Sequence, residues 1–156
     1  MCQLLGINSA APTDFRLTFR GFCRRGGCTD IHAHGWGLAI YKGRRLRTFL
    51  DPKPCCSSPI AGFVEQYPVL TYNMMAHIRY ATQGSATLEN VHPFHRELWG
   101  VNWCFAHNGS VPEFSTFSKN KPDEHPLLGL TKCEEMSYHA VGDTDSEAVF
   151  CTILNV

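Results

Sequence analysis

Gly35-Trp36-Gly37-Leu38-Ala39-Ile40-Tyr41, followed by Lys42-Gly43 and then Leu46 to Phe49, reads as a β-hairpin: an apolar strand, a turn pair and a returning strand. Upstream, Leu4 to Ile7 is apolar and breaks at Asn8, which predicts a short strand starting beside residue 2 and then a loop through Pro12. Asp14 to Phe22 carries Phe15, Leu17, Phe19 and Phe22, predicting a helix capped near Thr13 or Asp14, and Gly21 to Gly27 is a glycine- and arginine-rich loop. Downstream, Asp51 to Ser58 is rich in Pro, Cys and Ser and predicts a loop. Pro59 to Tyr67 then predicts a helix with Ile60, Phe63 and Val64 on one face. Met74 to Tyr80 predicts a strand ending in Arg79, with a polar loop Thr82-Gln83-Gly84-Ser85 beyond it, and Trp99 to His107 predicts another strand, closed by Asn108-Gly109. Thr144-Asp145-Ser146-Glu147 opens a helix through Ala148, Val149, Cys151 and Leu154. Strands outnumber helices and no βαβ spacing recurs, so the expected class is α+β rather than doubly wound.

At 156 residues the chain has the size of one domain, and 44% hydrophobic against 18% charged residues is enough to bury a core. Lys plus Arg equals Asp plus Glu, and the basic clusters Arg24-Arg25 and Arg44-Arg45-Leu46-Arg47 are short, so they read as solvated arginines and nucleic acid is not an expected partner. The N-terminus lacks a basic region, and its apolar run is too short for a signal peptide or a membrane span. A cytoplasmic protein away from membranes is therefore expected, with its eight cysteines mostly reduced.

Cys2 directly follows the initiator Met1, and a small second residue permits methionine removal. The new N-terminus would carry a thiol and a free α-amine. An α-amine titrates near about 7.7 to 8.0 and a thiol near about 8.5, so the pair can exchange a proton and generate a thiolate without a separate histidine. Position alone also fits a Cys2 of no consequence. His107-Asn108-Gly109 is first a turn signal. Its chemical reading is an oxyanion hole made by the Asn108 amide and the Gly109 backbone N–H. Arg79 ends a buried-looking strand, where a guanidinium needs an anion: either an internal acid or a substrate carboxylate that fits its fork. Asp145 at a helix start reads as a capping group, or, if it faces the site, as the partner of a substrate ammonium. Cys23, Cys28, His32 and His34 have ligand types that suit zinc, at a loose spacing without a paired C-x₂-C, so a zinc-binding module is an alternative reading.

Taken together, Met1-Cys2-Gln3-Leu4-Leu5-Gly6, His77-Ile78-Arg79-Tyr80-Ala81-Thr82, Ala106-His107-Asn108-Gly109 and Gly142-Asp143-Thr144-Asp145-Ser146-Glu147 resemble the ordered motifs of class II glutamine amidotransferases. His92-Pro93-Phe94, Arg96-Glu97-Leu98-Trp99-Gly100 and Gly35-Trp36-Gly37 are similar to the compact YafJ-like branch. The resemblance implies an N-terminal-nucleophile fold, a four-layer αββα sandwich of antiparallel sheets. It implies a glutaminase-type amidohydrolase, with Cys2 as nucleophile and base, Asn108 and Gly109 as oxyanion hole, Arg79 on the α-carboxylate and Asp145 on the α-ammonium. The small-molecule partner is then glutamine or a γ-glutamyl compound, with ammonia passing to water or to a separate synthase subunit; no metal or organic cofactor is needed.

Two features depart from that branch. His34 stands where an acid usually precedes Gly-Trp-Gly, and the sequence ends at Val156, inside the helix after the Gly142 to Glu147 motif. On this reading residues 2–156 are the N-terminal portion of the domain, with strands of the sheets missing. An incomplete sheet exposes an edge that invites self-association, and an inactive domain acting as an interaction module is the competing expectation.

Overall fold

The computed structural model describes residues 1–82, 84–115 and 136–156. Its strands and helices are β1 (Gln3–Asp14), α1 (Arg16–Cys23), β2 (Trp36–Lys42), β3 (Arg45–Asp51), α2 (Pro59–Gln66), β4 (Leu70–Ile78), β5 (Phe94–Leu98), β6 (Val101–Phe105), the short α3 (Pro112–Ser115) and α4 (Asp145–Leu154). Among the described residues every pairing is antiparallel: one sheet runs β1-β4-β2-β3, and β5 pairs with β6 in a second. The expected α+β class is the one observed.

Side-chain alternation explains the layers. On β2, Trp36, Leu38 and Ile40 point to one face and meet Met74, Ala76 and Ile78 of β4 in a core that also takes Phe15, Phe19 and Phe22 from the α1 region and Ala61 and Val64 of α2. The opposite face meets the second sheet: the Tyr41 hydroxyl donates to the Asn102 carbonyl at 2.9 Å, and Met75 and Cys104 sulfurs lie 3.9 Å apart. Beyond that sheet, Phe105 of β6 stacks on Phe150 of α4 with ring centroids 5.4 Å apart. The order is therefore α1 and α2, four-stranded sheet, two-stranded sheet, α4. Among the described residues β6 has only β5 as a partner, and β1 and β3 are the outer strands of the larger sheet. No described helix is long and apolar enough to cross a membrane.

Several elements differ from the sequence reading. β1 continues to Asp14 instead of ending near Asn8, because Thr13 and Asp14 pair with Thr71 and Leu70 after an irregularity between Asn8 and Thr13 that absorbs Pro12. The α1 N-cap is Phe15; Asp14 still serves the helix start, its carboxylate accepting the Arg16 backbone N–H at 3.0 Å. The α2 helix buries Ala61 and Val64, while Ile60 and Phe63 face outward and Phe63 packs against Phe49 and Tyr67. Trp99 and Gly100 form the β5–β6 turn, with φ of 58° and 72°, so the strand begins at Val101, and β5 before it is an element the apolar pattern did not show. The β2–β3 hairpin and the helix opened by Thr144 stand where they were expected.

At Gly37 the segment leading into β5 comes down onto β2: a Cβ there would sit 2.1 Å from the His92 carbonyl oxygen and 2.5 Å from Leu50 Cδ2. Gly62, inside α2, has nothing within 4 Å of such a Cβ. The two glycines therefore respond oppositely to alanine. Gly37→Ala lowers stability by about 1–3 kcal/mol through overpacking, whereas Gly62→Ala raises it by about 0.5–1 kcal/mol through backbone entropy. Urea unfolding of both variants checks the pair, and equal shifts in either direction would contradict this packing.

Candidate functional site

The β1–β4 register sets up the site. Gln3 pairs with Ile78, so Cys2, one residue before β1, comes to lie beside Arg79 and Tyr80, just after β4. The Tyr80 backbone N–H donates to Cys2 Sγ at 3.3 Å, and the half-buried sulfur lies 3.6 Å from the Tyr80 carbonyl. A third segment arrives from β6: Asn108 Nδ2 donates to the Cys2 carbonyl oxygen at 2.9 Å. The fourth is the start of α4. Cys2, Arg79, Gly109 and Asp145 all line one cleft, together with His92 and His107.

Arg79 is 3% exposed, and its backbone is clamped between the Gly35 carbonyl, which accepts its N–H at 2.8 Å, and the His34 N–H, which donates to its carbonyl at 3.1 Å. Its Nη1 donates to the Ser85 carbonyl at 2.7 Å. Burial pulls the guanidinium below its ordinary range, with the Cys2 sulfur and the Asp143 carboxylate acting the other way. It remains a cation all the same. His34 has a definite task here: its Nδ1 accepts the Ala81 N–H at 3.0 Å, so the residue that departs from the expected acid holds the loop after Arg79.

At α4 the capping role falls to Thr144, whose hydroxyl accepts the Glu147 N–H at 3.3 Å. That leaves Asp145, 5% exposed, at the first helical position and on the cleft wall. Its Oδ2 accepts the Val111 N–H at 2.7 Å and its Oδ1 the Ser146 N–H at 2.8 Å, so the carboxylate is held from both sides at the positive end of the helix. At Gly109 a Cβ would lie 2.8 Å from His107 Nε2, so a larger residue would have to displace that ring. Asn108 is placed differently from its neighbours: its amide is spent on the Cys2 carbonyl, and it lines no part of the cleft. The cleft itself holds about 30 Å³, room for a water or two.

Three histidines behind these residues were not singled out as functional in the sequence. His77 and His92 stack with centroids 4.3 Å apart and planes at 18°. His92 Nδ1 accepts the His107 backbone N–H at 3.2 Å, and His107 Nδ1 lies 3.1 Å from the Ser146 hydroxyl, which in turn lies 3.3 Å from Asp145 Oδ1. His92 and His107 thus connect the Asn108-Gly109 turn to the head of α4. The signal was present in His77, a titratable residue near the end of β4 among apolar neighbours Met74, Met75, Ala76 and Ile78. The four candidate zinc ligands do not converge: Cys23 is in the core, Cys28 is exposed, and His34 is bound to Ala81. Among the described residues no three His, Cys, Asp or Glu side chains are placed to hold a metal ion.

The sequence model for class-II glutamine amidotransferases matches residues 1–156. YafJ of Escherichia coli (strain K12), whose name assigns it provisionally to the glutamine amidotransferases, is 44% identical over 155 residues, covering 99% of this chain and 54% of its own length. A protein of Haemophilus influenzae with a name of the same kind is 47% identical over 153 residues, 97% of this chain and 46% of that one. The crystal structure of a predicted glutamine amidotransferase from Pseudomonas aeruginosa PA01 superposes with a TM-score of 0.59 at 34% identity, covering 99% of this chain and 54% of that one. This chain spans about half the length of the curated relatives it matches.

The histidine stack carries a pH dependence of known sign. Burial lowers His77 from 6.5 to about 4, and lowers His92 to about 2, with the neighbouring His77 and the Arg79 charge adding to the effect on His92. Below pH 6.5 the unfolded chain takes up protons that the folded chain refuses, so stability is whole above that pH and falls as pH drops towards those lowered values. The loss by pH 5 is about 2 kcal/mol per histidine. Melting temperatures measured from pH 7.5 to 5 should fall, and His77→Gln should flatten that slope; an unchanged slope would contradict neutral, buried rings.

Proposed function

The chain belongs to the class II glutamine amidotransferases, and from that premise we propose that it releases ammonia from the side-chain amide of glutamine through a γ-glutamyl thioester on Cys2. The observation that carries this reading is convergence: residues 2, 79, 109 and 145, far apart in sequence, line one cleft with a nucleophile, a cation, a backbone donor at a glycine and an anion.

Met1 is 87% exposed, open to removal, and its carbonyl oxygen accepts from His32 Nε2. Its loss would free the Cys2 α-amine. In the reaction the amine takes the thiol proton and the thiolate attacks the amide carbon. The oxyanion is met by the Gly109 N–H and the Asn108 amide. Collapse of the tetrahedral species breaks the C–N bond, the α-ammonium returns its proton to the leaving nitrogen, and ammonia departs. Water, deprotonated by the same amine, adds to the thioester and releases glutamate. Arg79 holds the α-carboxylate in a bidentate pair and Asp145 the α-ammonium. Asn108 is bound to the Cys2 carbonyl, and its amide meets the oxyanion once that hydrogen bond is released. The ammonia goes to water or to a separate acceptor subunit.

Intact-protein mass spectrometry after exposure to diazo-oxo-norleucine, a glutamine-analogue electrophile, tests the proposal. The expected result is loss of Met1 and a single adduct on Cys2 that Cys2→Ala does not form. Soluble, Met1-free protein that takes no adduct would sink the catalytic reading and leave the interaction module in its place.

A further inference from the structure

We propose that Asn90 is the positioning residue that fixes the spacing between the Arg79 side and the Asp145 side of the cleft; the inference rests on the glutamine reading above. Asn90 is fully buried at the end of the short helical turn Leu88–Asn90 and lines no part of the cleft. Its carboxamide reaches two loops at once. Nδ2 donates to the Ser85 carbonyl at 3.0 Å, the same oxygen that accepts Arg79 Nη1 at 2.7 Å. Nδ2 also donates to Asp143 Oδ1 at 2.6 Å, while Oδ1 accepts the Asp143 N–H at 2.9 Å. Asp143 lies two residues before Asp145, so a hydrogen-bonded path runs from Arg79 through Ser85 and Asn90 to the head of α4.

A carboxamide supplies what this position uses, two N–H donors and a separate carbonyl acceptor on one short side chain. Glycines on both loops make the approach possible: a Cβ on Gly84 would sit 2.5 Å from Asp143 Oδ1, and one on Gly142 2.1 Å from Asn90 Oδ1. The second loop is braced from its other side by Glu147, whose Oε2 accepts the Val141 and Gly142 N–H groups at 3.1 and 2.7 Å while Oε1 pairs with Arg96 Nη2 at 2.6 Å. With that brace in place, Asn90 is the joint between the two ends of a bound α-amino acid.

Asn90→Asp keeps the shape, removes the donor and sets a second carboxylate against Asp143. The variant should raise the glutamine KM about tenfold with kcat changed by less than about threefold. Iodoacetamide, which needs neither clamp, should alkylate Cys2 at the wild-type rate. Hydrogen exchange should quicken at Ser85 and Asp143 together, and the double variant Asn90→Asp with Asp143→Asn should bring KM back towards wild type. An unchanged KM, alkylation that slows in step with the loss of turnover, or no recovery in the double variant would each overturn the proposal. If the wild type turns over no glutamine, the glutamine reading fails separately. Exchange then decides for the strut alone: a joint rise at both loops sustains it, and a rise at one or neither overturns it.

Discussion

The pairing of β1 with β4 is the constraint on which the rest depends. Its register puts Gln3 opposite Ile78, and because consecutive residues on paired strands run in opposite directions, the residue before β1 must meet the residues after β4. That alone brings Cys2 to Tyr80 and Arg79 across more than seventy positions of sequence. A slip of one residue would reverse every side chain on β1 and take Leu5 and Ile7 out of the core. Core packing and site assembly are thus held by the same register.

The second sheet contributes the other half of the cleft, and it does so through close backbone approach. Gly37 lets the His92 carbonyl come down onto β2, and His92 then accepts from the backbone of His107, beside Asn108 and Gly109. From there the Ser146 hydroxyl links to α4 and Asp145. The fold is the antiparallel α+β sandwich of the class II, N-terminal-nucleophile type. In this chain one set of polar linkages between its layers lies at the cleft, and another joins Tyr41, Arg44 and Leu46 to Asn102 at the far end of the sheets.

Much of this was legible in the sequence because local chemistry spoke for itself. Lys42-Gly43 marked a turn, with Gly43 at φ 61°, and Thr144 with Glu147 three residues on marked a helix start. Cys2, Arg79, Gly109 and Asp145 were named from motif position and chemical type, and the structure brings them to one cleft. Asn108 was named with them, yet its amide here serves the Cys2 carbonyl. What stayed hidden is tertiary. β5 alternates Phe94 with His95 and Arg96, too polar a run to announce a strand before its partner β6 is known. The extension of β1 past Pro12 needs the pairing of Thr13 with Thr71, and Asn90 has no meaning until the loops carrying Ser85 and Asp143 are closed upon it.

The central claim is that Cys2, once N-terminal, acts on glutamine held by Arg79 and Asp145. The most direct measurement is ammonia release from L-glutamine by the Met1-free chain, set beside its release from glutamine α-amide, which lacks the carboxylate that Arg79 would hold. The account predicts turnover of L-glutamine and a value of kcat/KM at least about a hundredfold lower for the α-amide, about 2.7 kcal/mol of lost charge pairing. Equal turnover of the two compounds, or none of either by folded, Met1-free protein, would contradict it.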